Sequence, residues 1–101
     1  HEGHQIALKL CEKSIELNPK PPVFYLRLAK AQLQCGLPEE AKNTLRQHLQ
    51  NKAIKGAAGF QMGLIYRRQG QQMRARQWFS KTIKYEQSDS HWHQQASSYL
   101  T

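Results

Sequence analysis

Apolar residues recur along the chain at intervals of three and four, the spacing of one helix face. Tyr25, Leu28, Ala29 and Leu33 form one such series, and Ala41, Leu45 and Leu49 the next. Phe60, Met62, Gly63 and Tyr66 form a third, and Ala75, Trp78, Phe79 and Ile83 a fourth. No stretch keeps the alternation that marks a strand. Turn signals divide the series. Asn18-Pro19 and Pro21-Pro22 interrupt the first helical stretch, because proline lacks the N–H and restricts its predecessor. Cys35-Gly36-Leu37-Pro38-Glu39-Glu40 reads as a helix end with glycine at C′, then a new helix with proline and two acids in its first turn. Asn51 to Lys55 is a polar break, Arg68-Gln69-Gly70-Gln71 repeats the helix–glycine–helix pattern, and Ser88-Asp89-Ser90 offers cap oxygens to a last helix. The spacing predicts helices over 3–17, 22–35, 38–50, 56–69 and 72–86, and a sixth starting near residue 90.

These segments repeat. Gly36 and Gly70 set a period of about 34 residues, the length of one helix–turn–helix unit. In the same register Ala41 falls on Ala75 and Leu45 on Phe79. Leu28 falls on Met62, Ala29 on Gly63, and Gln32 on Tyr66. One step back lie Ala7 and Cys11; one step forward lie Ala96 and Ser97. Glu16-Leu17-Asn18-Pro19 closes the first unit. Together with Met62-Gly63, Tyr66, Gly70, Ala75 and Phe79, this register resembles the tetratricopeptide repeat family. The departures are Gly59 at the bulky first position, Ser14, His48 and Thr82 at the second small position, and Ala53 and Gln87 in place of the closing proline. The resemblance implies an all-α fold, a right-handed superhelical stack of antiparallel helix hairpins. It divides a single domain into a second helix at 1–19, repeats at 22–53 and 56–87, and the first helix of a further or capping unit at 90–101.

The packing logic of the spacing holds without the family. Small residues at Ala29, Gly63, Ala41 and Ala75 let two helices approach, and Tyr25, Leu28, Leu45, Tyr66 and Phe79 fill the space beside them. One hairpin cannot bury its apolar stripe alone, so neighbours must stack.

Length and charge then narrow the function. The 101 residues are one short of three whole periods, and they begin at His1 without an apolar leader, which reads as a piece of a longer array. No apolar run approaches the roughly 20 residues that span a bilayer. The formal charge is +8. Between Ala41 and Tyr85 there is no acid, but ten cations, including Lys42, Arg46, Lys52 and Lys55. Such a field attracts nucleic acid, acidic peptide or anionic lipid. Cys11 and Cys35 lack metal-site spacing and read as two buried reduced thiols, which leans toward a reducing, cytoplasmic compartment. An envelope-associated parent is the alternative.

No nucleophile elbow, phosphate-cradling loop or zinc-protease motif is present, so the chain is expected to be no enzyme and to take no cofactor. His91 and His93 fall on different helix faces, and His1 and His4 sit at a frayed end, so no metal site is expected. The family resemblance implies a concave groove lined by the first helices. Carried onto this sequence, its partner-binding residues are Leu26, Arg27, Lys30 and Gln34 in one repeat, and Phe60, Gln61, Leu64, Arg67 and Arg68 in the next. Val23, Leu33, Ala57, His91, Gln94, Gln95 and Ser98 share the groove-facing positions. This wall of apolar, amide and cationic groups suits a peptide or protein segment with acidic residues. The family's carboxylate clamp for chaperone tails is not reproduced: Leu26, Lys30, Ala57 and Gln61 occupy its places, and only Lys30 is cationic. Leu26, Phe60 and Leu64 read as apolar anchors, and exposed anchors of this kind are replaceable without loss of folding.

Two other functions are weighed. Arg74, Arg76, Lys81 and Lys84, interleaved with Trp78 and Tyr85, form a possible anion-binding helix, and the acid-free stretch 41–85 a nucleic-acid-binding module. On a helical wheel Arg74, Lys81 and Lys84 cluster better than Arg76. Apolar solenoid ends also offer a route to self-association.

Overall fold

The computed structural model describes residues 2–87 and 90–100. Among them are six helices and no strand: α1 (Glu2–Leu17), α2 (Pro22–Gln34), α3 (Pro38–Gln47), α4 (Lys55–Arg68), α5 (Gln72–Tyr85) and α6 (His91–Ser98). Pro22 and Pro38 each open a helix, where the missing N–H has no partner to lose. Ser88 and Asp89, like His1, lie outside the described residues. Ser90 caps α6, its Oγ accepting from the His93 amide at 3.1 Å. No helix among the described residues is long and apolar enough to cross a membrane.

The two glycine turns are built alike. Gly36 and Gly70 have φ of +78° and +77°, a left-handed conformation that costs a side chain about 1–2 kcal/mol. The amides of Leu37 and Gln71 then reach back to the carbonyls of Gln32 and Tyr66, both at 2.9 Å, and satisfy carbonyls that the ending helices leave open.

The helix bounds lie within one residue of the periodic reading except at the end of the third helix. The third helix stops at Gln47, short of residue 50. There the amides of His48 and Leu49 bond carbonyls three residues back, and the His48 ring stacks on Tyr25 with centroids 3.9 Å apart. The break 51–55 is not wholly polar. Ile54 is buried, and its carbonyl accepts from the Ala58 amide at the start of α4.

Helices neighbouring in sequence pack side by side, and α2 and α6 also touch α4. Among the described residues no comparable contact joins α1 to α3 or α3 to α5. The layer of α2, α4 and α6 is therefore the inside of a bend, and α1, α3 and α5 are spread along its outside. The buried core runs through Ala29, Ala41, Leu45, Ala58, Met62, Ile65, Ala75, Phe79 and Ala96.

Equivalent contacts recur one period along the chain with different residues. In the first hairpin Ala29 and Leu45 share the core, and Tyr25 stacks on His48. In the second, a Cβ on Gly63 would meet Phe79 Cε1 at 2.5 Å, and one on Gly59 would meet Thr82 Oγ1 at 2.9 Å. At Gly63 the first helix gives up its side chain to the larger Phe79. At Gly59 and Thr82 both partners are smaller than Tyr25 and His48, and the α4 backbone itself comes against the Thr82 hydroxyl. Tyr25 is half-buried and not a core residue, its hydroxyl donating to the Pro19 carbonyl at 2.7 Å.

Gly63→Ala is therefore expected to destabilise by about 1–3 kcal/mol through overpacking against Phe79. Phe79→Leu restores at Gly63 the space that Leu45 leaves at Ala29, so the double variant should lose less than the two single losses summed, as a denaturation cycle will measure. Burial lowers the pKa of His48 from 6.5. The neutral ring is favoured in the folded state, so this stabilisation is complete above 6.5 and is lost as pH falls toward the lower folded value. Melting temperature should fall as pH drops below about 6.5, and His48→Gln should flatten that fall.

Candidate partner-binding groove

The inside of the bend carries a cavity of about 220 Å³ between α2, α4 and α6. Leu33, Phe60, Leu64, Ile65 and Trp92 give it apolar walls, and Lys30, Gln34, Gln61 and Arg68 supply its polar groups. No acid lines it. Of the groove residues expected from sequence, it gathers Lys30, Gln34, Phe60, Gln61, Leu64 and Arg68.

Three others lie elsewhere. Leu26 is half-buried against the core. Arg27 lines a separate cleft at α1 with Leu10, Cys11, Ser14 and Phe24. Arg67 places its guanidinium over the Tyr99 ring, 5.1 Å from the centroid. Trp92 is the wall residue that the register conceals, because its equivalents are half-buried Phe24 and fully buried Ala58. A large aromatic in a short last helix was the available signal.

Phe60 is not an exposed anchor. It is 7% exposed, with its ring 5.6–5.9 Å from those of Phe79, Trp92 and Tyr99. Tyr99 in turn stacks on Phe79 at 4.9 Å. The ring thus both borders the cavity and holds α6 on α4. Its burial depends on α6, which the three-and-four spacing of its own helix does not report.

The acid-free stretch is likewise not a uniform charged surface. Lys42 is 4% exposed. Its Nζ pairs with Glu39 at 2.8 Å, donates to Gln69 Oε1 at 2.9 Å, and lies 4.5 Å from the Tyr66 centroid. Arg46 donates to the Tyr66 hydroxyl at 3.1 Å. Burial pushes the Tyr66 phenol up, but the Arg46 hydrogen bond and the charges of Arg46 and Lys42 outweigh it and leave the pKa lowered. Hydrogen bonds from Lys42 and Gln69 hold the Glu39 pKa down. These bonds tie α3 to the end of α4. Lys55 covers Tyr85, and Lys81 covers Trp78.

The expected anion cluster on α5 is rearranged. Arg74 turns to the Tyr66 ring, whereas Arg76 borders a shallow groove with Lys81 and Lys84. The guanidinium of Arg74 reaches across to α4, which a helical wheel drawn on one helix does not register. Both cysteines are free and half-buried, not fully buried. Among the described residues no three His, Cys, Asp or Glu side chains are grouped to hold a metal ion.

Paired helices, left-handed glycine turns one period apart and the concave first-helix layer together define a repeat architecture. Residues 4–53 match the family model described as tetratricopeptide repeat. This part of the chain belongs to the tetratricopeptide repeat family. No curated protein matches the chain. The tetratricopeptide hairpin of α2 and α3 lies within the matched segment, and α4 with α5 repeats its turn and its close approach.

Phe60→Ala is expected to cost about 3 kcal/mol or more of stability, because it empties the aromatic cluster under α6. Arg68→Ala, at an exposed cavity rim, should leave the chemical denaturation midpoint nearly unchanged.

Proposed function

We propose that the chain is a non-enzymatic scaffold that holds an acidic segment of a partner protein against the layer of α2, α4 and α6. Tetratricopeptide domains generally mediate protein–protein interaction. The observation that carries the reading is the cavity itself: apolar walls, amides, two cations at its edge and no acid. Leu33, Leu64 and Trp92 would receive one apolar side chain of the partner. Lys30 and Arg68, both exposed, would receive carboxylates beside it and speed encounter. Gln34 and Gln61 would bond the partner's backbone.

The nucleic-acid alternative needs cations beside free aromatic faces. Lys42 is buried, and Trp78 and Tyr85 already carry lysines over their rings, which supports the peptide reading.

A displayed peptide library tests the proposal. Selection on the wild-type chain should enrich one apolar residue flanked by Asp or Glu. Lys30→Glu with Arg68→Glu should abolish the selected binding while leaving the melting temperature in place. Enrichment without acids, or binding that survives the charge reversal, would overturn it. Tight binding of random single-stranded RNA with a steep salt slope would favour the alternative.

A further inference from the structure

Helices α3 and α5 make no direct contact, yet each sends an arginine to the same side chain of α4. Arg46 donates to the Tyr66 hydroxyl at 3.1 Å. Arg74 comes toward that hydroxyl from the other side of the gap, its guanidinium 5.7 Å from the ring centroid. Two guanidiniums with one neutral acceptor between them repel each other. Among the described residues neither has a carboxylate within ion-pair distance. Glu39, which shares the field of Arg46, is paired with Lys42 at 2.8 Å and accepts from Gln69 at 3.2 Å. Lys42, Arg46 and Arg74 against Glu39 leave a net of 3 − 1 = +2.

The donors of this cluster are still open. Arg46 and Arg74 are both exposed. Arg46 gives one further N–H to Asn43 at 2.9 Å, and a guanidinium carries five. The bond from Arg46 engages a lone pair of the Tyr66 hydroxyl and leaves its own proton to be donated. The Tyr66 ring, by contrast, is closed: the residue is 5% exposed, and Lys42 lies 4.5 Å from its centroid.

The repeat register supplies a comparison within the chain. One period before Arg46, Tyr66 and Arg74 stand Glu12, Gln32 and Glu40. The same three places therefore hold two acids at one junction and two arginines at the next. Hairpin stacking demands neither sign, so the convergence of cations is a property of this junction alone.

We propose that Arg46, Arg74 and the Tyr66 hydroxyl form a binding site for a phosphomonoester dianion on the outside of the bend. A guanidinium presents paired N–H groups that match two oxygens of a phosphate. One arginine grips from α3 and one from α5, and the phenol donates to a remaining oxygen. The net charge of the cluster also matches the charge of about −1.5 to −2 on a phosphomonoester at neutral pH. A carboxylate brings half that charge and too few oxygens. A nucleic-acid phosphodiester brings one charge per phosphate and draws on base stacking, for which the closed Tyr66 ring offers no face. None of the three residues lines the cavity at Lys30 and Arg68, so the site is independent of the acidic-segment reading. A phosphate held by both arginines would join α3 to α5 across their gap.

Titration of the wild-type chain with inorganic phosphate and with N-acetyl-phosphoserine amide tests the site, followed by nitrogen–proton NMR of the arginine side chains. The Nε–H signals of Arg46 and Arg74 should move together and saturate, and the melting temperature should rise with either bound ligand. Arg46→Gln and Arg74→Gln should each weaken binding about tenfold or more, because each removes a charge-assisted pair of bonds. Tyr66→Phe keeps the ring and should weaken it several-fold. Arg76→Gln takes the same charge from an exposed position of α5 and should leave the affinity within about twofold. Phosphoserine bound at least as tightly as phosphate assigns the ligand to a phosphorylated protein; phosphate bound without phosphoserine assigns it to a free phosphate. Failure of both to saturate at tens of millimolar overturns the proposal. So does equal weakening by Arg76→Gln and Arg46→Gln, which would mean attraction to net charge without a site. Single-stranded RNA bound more tightly than either ligand, and weakened by the same two variants, would overturn it in favour of a phosphodiester.

Discussion

The close approach of α4 and α5 is the constraint on which the remaining structure depends. Gly63 lets the Phe79 ring lie almost on the α4 backbone, at a separation that a methyl group would violate. The Phe79 ring then meets Phe60 of α4 and Tyr99 at the end of α6. The α4 helix touches every helix except α1, and it buries nine of its residues. A helix enclosed in this way cannot show the one-sided apolar pattern of a surface helix. Its sequence, rich in glycine and alanine, is what a central element needs when four neighbours must come close.

The groove follows from the same arrangement. Because α2, α4 and α6 converge while the second helices stay apart, the wall of the cavity is made from residues of three separate helices. Lys30, Phe60 and Trp92 meet there from α2, α4 and α6. The electrostatics are sorted in parallel. Lys42, Arg46 and Arg74 gather around Tyr66 on the α3–α5 side, and Arg67 lies over Tyr99. Lys30 and Arg68 are left at the cavity edge. A raw charge of +8 therefore overstates the field that any single partner meets.

Much of the fold was legible in the residues. Gly36 and Gly70 read correctly because a left-handed turn leaves little choice of residue. Ala41 and Ala75 read correctly because the repeat register reproduces the same close contact. What was not legible depends on residues far away in sequence. Lys42 looks like a solvated lysine until Gln69 and Tyr66 enclose it from the next hairpin. Phe60 belongs to the groove positions by spacing, yet its exposure is set by Trp92 and Tyr99 of the last helix. Arg27 and Arg67 have groove spacing, but the neighbours of their tips take them elsewhere. Helical period reports the direction in which a Cβ leaves its helix; the end of a long side chain is settled by the neighbouring element.

Burial is distributed unevenly from one end of the stack to the other. Nine residues are buried in α4, and none in α1. In a linear array each helix is held by its neighbours alone, so cohesion is a local quantity and not a property of the whole. The amides of α1 are then the first to exchange with solvent, and those of α4 and α5 the last. The two ends of this gradient differ in stiffness: the cavity at α4 stands on its most enclosed helix, whereas α1 is held on one side only.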